Sequence, residues 1–309
     1  MCRFTLYLGP PIRLKSLLID PSHSLIQQSF RARERAEPLN GDGFGVGWFA
    51  PRLTPEPAVF HDVSPAWNNQ NLHSLAKVVT SPCVLAHVRA ATPGSEVNLA
   101  NCHPFQYGAY LLMHNGHIGG FRRIRRRLLE ALTDEAFNVV RGSTDTEHLF
   151  AVFVDELVRN GRPVHLPPPR DAASATDGPG ADPPLELAGR VHAAVCRVLE
   201  LARRCGDGEA SFLNIAVSDG VHAAACRFSD QTAVPPETLY FHQGELYEPA
   251  GRRFVQRRAG DEGEGYVVSS ERLTDDPGWA AVPPNHMVVL SRQARPRVVA
   301  MTEGGLREA

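Results

Sequence analysis

The 309-residue sequence predicts an α+β layered fold. Three observations carry that reading. The first third alternates apolar and polar residues in strand-length runs, the middle holds two long stretches of helical periodicity, and short apolar runs return towards the C-terminus. Strands, then helices, then strands again bury their apolar faces best as stacked layers.

The elements follow in chain order. Over residues 2–9, Phe4, Leu6 and Leu8 alternate with Arg3, Thr5 and Tyr7, as in a half-buried strand. A second strand is expected over 43–49, after the turn Asn40-Gly41-Asp42-Gly43. Residues 84–91 and 109–113 read as two more, each running into a polar, Gly-containing segment. Helical patterns occupy 14–18 and 121–132. A stronger helix starts at Thr144, which has capping-box spacing to Glu147 ahead of the apolar run 149–158. Residues 163–184 are rich in Pro, Ala, Gly and Asp without apolar periodicity, and read as a flexible loop. A helix over 185–204 would then bury Leu187, Val191, Val195, Val198, Leu199 and Ala202. Strands return at 213–217, 221–227, 239–241, 266–269 and 287–290, and no internal repeat is visible.

Composition removes several function classes. Hydrophobic residues are 43% and charged ones 21%, which suits a chain with a real core and excludes a disordered or collagen-like one. The 32 basic and 34 acidic residues leave a formal charge of −2, so no global attraction for a polyanion exists and nucleic acid is not an expected partner. Lys15 and Lys77 are the whole lysine inventory, leaving little scope for Schiff-base chemistry. The six cysteines show no C-x-x-C spacing and no disulfide framework. Gly9, Pro10 and Pro11 interrupt the N-terminal apolar stretch, which does not resemble a signal peptide, and no run approaches the ~18–20 apolar residues that span a bilayer. A cytoplasmic protein without a membrane partner is expected.

Cys2 is the most informative residue. Removal of Met1 would set a free α-amine beside the thiol of the same residue. Reference pKa values of about 7.7–8.0 for the amine and about 8.5 for the thiol let the amine take the thiol proton near neutral pH. One residue then supplies both nucleophile and base.

Four later segments extend this signal. They are Asn40-Gly41-Asp42-Gly43-Phe44-Gly45-Val46-Gly47-Trp48, His87-Val88-Arg89-Ala90-Ala91-Thr92-Pro93-Gly94, Met113-His114-Asn115-Gly116 and Gly142-Ser143-Thr144-Asp145-Thr146-Glu147. With Cys2 in front, their order resembles the class II glutamine amidotransferases, a family of N-terminal nucleophile hydrolases. The resemblance is strongest over residues 2–158. Cys2-Arg3, Gly9-Pro10-Pro11, residues 21–25 and residues 275–279 look like the stand-alone branch that hydrolyses γ-glutamyl hercynylcysteine sulfoxide in ergothioneine biosynthesis.

That resemblance implies a four-layer α/β/β/α sandwich of two mainly antiparallel sheets, formed as a single domain over residues 2–309. It implies that Cys2 attacks a γ-glutamyl carbonyl while the Asn115 side-chain amide and the Gly116 N–H stabilise the oxyanion. Arg89 would pair with the substrate α-carboxylate and Asp145 with its α-ammonium. Thr92 and His103, the latter in Asn101-Cys102-His103-Pro104-Phe105, would shape the pocket. Ala90 departs from the Trp that many members carry after the Arg. Taken singly, each residue has a plainer reading: an Asn-Gly turn, a solvated Arg, an acidic residue favoured by a helix dipole.

No cofactor or metal is implied, and the partner is a small γ-glutamyl molecule. Cys83, His87, Cys102 and His103 are zinc-type residues, but adjacent Cys102-His103 is poor ligand spacing. Arg122, Arg123, Arg125, Arg126 and Arg127 read as a solvated helix face. Two alternatives stay open: a glutaminase subunit feeding ammonia to a separate synthase, and an amidotransferase-like binding protein without turnover.

Overall fold

The structure, a computed structural model, describes residues 2–34, 39–91, 95–161, 182–231, 233–247, 253–255 and 264–308. Thr92 and residues 163–181 of the expected loop lie outside these.

The elements run β1 (Arg3–Arg13), α1 (Leu14–Leu18), α2 (Leu25–Arg31), β2 (Phe44–Trp48), β3 (Ala58–Asp62), α3 (Gln70–Val78) and β4 (Thr80–Val88). Next come β5 (Phe105–Tyr107), β6 (Tyr110–His117), α4 (Phe121–Glu130), α5 (Asp134–Phe137), α6 (Asp145–Arg159) and α7 (Pro183–Cys205). The chain continues with β7 (Phe212–Ser218), β8 (His222–Arg227), β9 (Tyr240–Gln243), β10 (Leu246–Tyr247), β11 (Arg253–Val255) and β12 (Tyr266–Ser269). It closes with β13 (Ala280–Ala281), β14 (His286–Ser291), β15 (Ala294–Thr302) and β16 (Gly305–Glu308).

Two seven-stranded sheets form, ordered β13-β9-β12-β1-β4-β2-β3 and β16-β15-β14-β8-β7-β6-β5, besides a small β10–β11 pair. Their pairings are antiparallel. Side-chain alternation then decides the layers. Phe4, Leu6, Leu8 and Leu85 face Leu111, Met113, Ala216 and Val288 across the space between the sheets. The opposite parity on the first sheet, Tyr7, Val46 and Val84, packs on Leu14, Leu17, Leu25 and Leu72 of the first three helices. On the second sheet, Leu112, Ile215 and Val217 pack on Ile124, Phe150, Phe153, Val191 and Val195. The order of layers is therefore α/β/β/α, as expected. Each fully buried Leu or Phe contributes roughly 1.5–3 kcal/mol, so these three apolar seams hold the layers together.

Several boundaries differ from the sequence reading. β1 continues through Pro10 and Pro11 to Arg13, its register with β4 shifting between Leu8 and Ile12 where proline offers no N–H. α7 begins at Pro183 rather than 185, because Asp182 caps it from Leu185 N–H at 3.1 Å and proline suits the first turn. β6 extends to His117, so Asn115-Gly116 lies inside a strand and is not a turn. Among the described residues, no helix is long and apolar enough to cross a membrane.

Candidate active site

Period-two alternation along β1 puts Cys2 on the same side as Phe4, Leu6 and Leu8, facing the second sheet. Arg3 pairs with Val88 and Phe4 with His87, so one more step in register brings Cys2 level with Arg89. The half-buried Cys2 thiol donates to the Ala90 carbonyl at 3.7 Å. Burial pushes this thiol up to about 11; the Ala90 hydrogen bond and the Arg89 and Arg3 guanidiniums pull it down, and the Asp145 carboxylate pushes it up. At neutral pH the sulfur is thus overwhelmingly protonated and needs a base. Cys2, Arg89 and Asp145 share one charge neighbourhood.

Arg89 follows the last residue of β4, with its side chain buried. Its Nη2 donates to Ser95 Oγ at 2.8 Å, and Nη1 lies 3.5 Å from the Asp42 carbonyl. Among the described residues no carboxylate pairs with it. A buried guanidinium so placed keeps donors that a carboxylate can use. The Asn40–Gly43 turn holds the arginine main chain: Arg89 N–H donates to Gly43 O at 2.9 Å, and Asp42 N–H donates to Arg89 O at 3.0 Å. The Asp42 carboxylate also accepts Ala91 N–H at 2.8 Å.

Asp145 is the first residue of α6, directly after the cap Thr144. One carboxylate oxygen accepts Thr146 N–H at 2.8 Å and the other accepts Ile118 N–H at 2.9 Å. The expected capping box is half formed. Glu147 N–H donates to Thr144 Oγ1 at 3.2 Å, but the Glu147 carboxylate turns to the N–H groups of Arg141 (2.8 Å) and Gly142 (2.7 Å). Asn101 stitches this turn to the segment carrying Ser95: its Oδ1 accepts Ser143 N–H at 3.1 Å and its Nδ2 donates to Glu96 O at 3.0 Å.

Asn115 continues the parity of Leu111 and Met113 towards the first sheet. It is completely buried, yet among the described residues neither Oδ1 nor Nδ2 has a hydrogen-bond partner. Leaving such a group unpaired costs about 1–3 kcal/mol, so its place demands a reason. Gly116 has φ 153°, and a Cβ there would stand 1.8 Å from the Phe212 carbonyl oxygen. No other residue fits.

The strand carrying Asn115 is held by His103, expected to shape the pocket, together with His87 and His114, which sequence reasoning left without roles. The His87 ring nitrogen Nε2 donates to the His114 carbonyl at 3.2 Å, and His114 N–H donates to His103 Nδ1 at 3.4 Å. The His114 ring itself points outward, against Thr146 Oγ1 (2.9 Å) and the Phe212 carbonyl (3.0 Å). The His87 and His103 rings lie 4.1 Å apart. Burial pushes His87 down to about 3 and His103 well below its ordinary value, so both are neutral at pH 7. His103 therefore braces the strand behind Asn115. Gly45 and Gly47 explain the glycine-rich second strand: a Cβ at Gly45 would lie 2.1 Å from His103 O, and one at Gly47 2.5 Å from Leu111 Cδ1. Only bare backbone lets the sheets close this far.

The family model for class-II glutamine amidotransferases matches residues 16–174, a span that begins after Cys2 and holds Arg89, Asn115, Gly116 and Asp145. The chain belongs to this family. It is 37% identical over 306 residues to the "Probable glutamine amidotransferase DUG3" of Saccharomyces cerevisiae, covering 95% of this chain and 82% of that protein. It is 26% identical over 294 residues to the γ-glutamyl-hercynylcysteine sulfoxide hydrolase of Mycobacterium tuberculosis, with 95% and 94% covered. A class-II domain protein from Silicibacter pomeroyi superposes with a TM-score of 0.64 at 25% identity, across 98% of this chain and all of that one. The glutamine phosphoribosylpyrophosphate amidotransferase of B. subtilis shares the fold at a TM-score of 0.57 and 13% identity, over 98% of this chain and half of that one.

The zinc-type residues do not form one ligand set. The Cys83 sulfur lies 3.2 Å from Ser218 Oγ, and the Cys102 thiol points to the Asp62 and Asn98 carbonyls. Among the described residues no three His, Cys, Asp or Glu side chains are grouped to hold a metal ion. Of the basic run on α4, Arg123 pairs with Asp207, Arg126 with Glu130, and Arg125 donates to the His148 ring.

Proposed function

We propose that this chain hydrolyses a γ-glutamyl amide bond through a γ-glutamyl thioester on Cys2, with Met1 removed. The observation that carries the proposal is the fully buried Asn115 amide, which has no partner among the described residues and sits at the end of the inner face that also bears Cys2. The α-amine of Cys2 takes the thiol proton and the sulfur attacks the γ-carbonyl carbon. Asn115 Nδ2 and the Gly116 N–H meet the oxygen that gains charge. The tetrahedral centre collapses to a thioester as the amine departs with the proton. Water then cleaves the thioester, releasing glutamate and restoring the thiol. Arg89 reads the α-carboxylate and Asp145 the α-ammonium, while Thr92 and His103 shape the pocket. No step calls for a cofactor.

For the leaving group we favour a γ-glutamyl thiol-imidazole conjugate over ammonia. Support comes from the relatives that bear the γ-glutamyl-hercynylcysteine sulfoxide hydrolase name, which align over nearly their whole length. The ammonia-supplying reading rests on the glutamine amidotransferase name of the yeast relative. Glutamate release by the purified protein from both substrate types at equal concentration separates them. The conjugate should show the higher kcat/KM, and a clear preference for glutamine, or turnover only when a synthase is added, would reverse the assignment. Cys2→Ala should abolish both reactions with the fold intact. Intact mass should show a chain beginning at Cys2, and full activity with Met1 retained would defeat the self-base mechanism.

A further inference from the structure

Asn214 on β7 stands directly opposite Asn115 in the β6–β7 register. It is also completely buried and shares the inner-face parity of Ala216. Two carbonyl oxygens, those of Glu237 at 3.0 Å and Thr238 at 3.2 Å, approach one end of its amide. Carbonyls only accept, so that end is the NH₂ group and the amide orientation is settled. Its Oδ1 is left buried with no partner among the described residues. Side chains directly opposite in an antiparallel pair have Cβ atoms about 4.5–5.5 Å apart. Asn115 and Asn214 thus bring two buried amides with an unfilled oxygen to facing positions on the same sheet face. A chain of contacts ties that place to the N-terminus. Arg3 Nη1 donates to the Cys2 carbonyl at 3.0 Å and lies 3.8 Å from the Glu237 carboxylate, and the Glu237 carbonyl receives Asn214.

We infer that Asn214 is a positioning residue that holds the α-amine of processed Cys2. This rests on the mechanism proposed above. A neutral amine has two N–H groups and one lone pair. Asn115 Oδ1 and Asn214 Oδ1 accept the two N–H groups, which turns the lone pair towards the Cys2 thiol. The thiol proton moves to that nitrogen as the sulfur–carbon bond forms, and the same proton later leaves with the departing amine. Asn115 Nδ2 remains free for the oxyanion. The charged and titratable groups that act on Cys2 are Arg3 on β1, Arg89 after β4, Cys102 and Asp145 on α6, and Glu237 before β9 lies against Arg3.

Two variants and one titration test it. Asn214→Leu keeps the volume and removes the acceptor. It should lower kcat roughly tenfold to a hundredfold with KM little changed, and move the acidic limb of kcat/KM to lower pH, because the ammonium form loses a partner. Asn214→Asp keeps an acceptor oxygen and adds a negative charge, and should move that limb to higher pH. Limbs unmoved in both variants, even with kcat reduced, would mean that Asn214 merely fastens the 236–238 segment, and would overturn the inference. If neither variant folds, the Asn214 side-chain amide resonances of the wild type decide. They should shift as the α-amine titrates in the processed chain and stay flat in a chain whose N-terminus is blocked by an extension. Resonances flat in both would overturn the inference. The resonance titration needs no turnover, so its failure is distinct from that of the parent mechanism, which falls if Cys2→Ala retains activity.

Discussion

The inner face between the sheets has two regions built on the same strands and the same parity. In its middle, Phe4, Leu6, Leu85, Leu111 and Met113 are sealed against one another. Two residues further along each strand, the side chains become Cys2, His87 and Asn115, and packing gives way to buried polar groups, some without partners. β4 and β6 run on as strands through His87 and Asn115. The difference teaches that one pleated surface stabilises the fold in its apolar stretch and spends stability at its end, where it keeps polar atoms waiting for a substrate.

The sharpest way to break this contrast is to truncate one residue in each region. Asn115→Ala should lower kcat by about 10²–10³ through the lost oxyanion donor, while Tm holds or rises, since two buried unpartnered atoms disappear. Leu111→Ala should cost roughly 2–5 kcal/mol of stability and leave kcat of the folded fraction near wild type. Denaturant melts beside steady-state kinetics read both. Equal stability losses in the two variants would erase the distinction.

Smaller effects sharpen the polar end. Arg89→Ala and Asp145→Asn should each reduce kcat/KM by roughly 10- to 150-fold, the loss expected for one charged hydrogen-bond partner. Wild-type kinetics in either folded variant would show that the pocket does not read a glutamyl head there.

The smallest effect concerns the histidines behind Asn115. An unfolded imidazole takes a proton as pH falls through about 6.5, whereas folded His87 resists until about 3. The unfolded state therefore binds more protons in that window, and stability falls as pH drops, by on the order of 1 kcal/mol per unit for each such group. Glu271, held down to about 2 by His23, Arg3 and the Arg33 N–H, adds its loss only below about 4.5. Urea unfolding between pH 4.5 and 6.5 separates the histidines from Glu271. The slope should shrink in His87→Gln, and an unchanged slope would contradict a neutral buried His87.

Much of this was legible in the sequence because the informative signals are local. Alternation along residues 4–8 predicted the face that carries Cys2, and Thr144 with Glu147 marked the helix that starts at Asp145. What escaped was non-local. The extension of β6 through Asn115-Gly116 depends on β7 lying beside it, which no turn propensity reports. The brace formed by His87, His103 and the His114 main chain joins three segments distant in sequence. Asn214 lies in an ordinary apolar strand pattern, and only its register partner gives it meaning. The helices α2 and α3 are short, and their caps Ser24 and Asn69 were the available signals.

Gly45 and Gly47 set how closely the two sheets approach, and the holders proposed for the amino-acid head stand on opposite sides of that gap. Arg89 rides on the first sheet, and Asp145 is hung from the turn that follows β6 of the second. The bare backbone of β2 thus acts as the set screw of a calliper whose jaws are a guanidinium and a carboxylate. Under the proposed function that opening would gauge an α-amino acid head against the sulfur, so a side chain one methylene shorter would seat its head and hold its carbonyl out of reach. Chain-length selectivity would then be a property of sheet spacing, set at two glycines of β2.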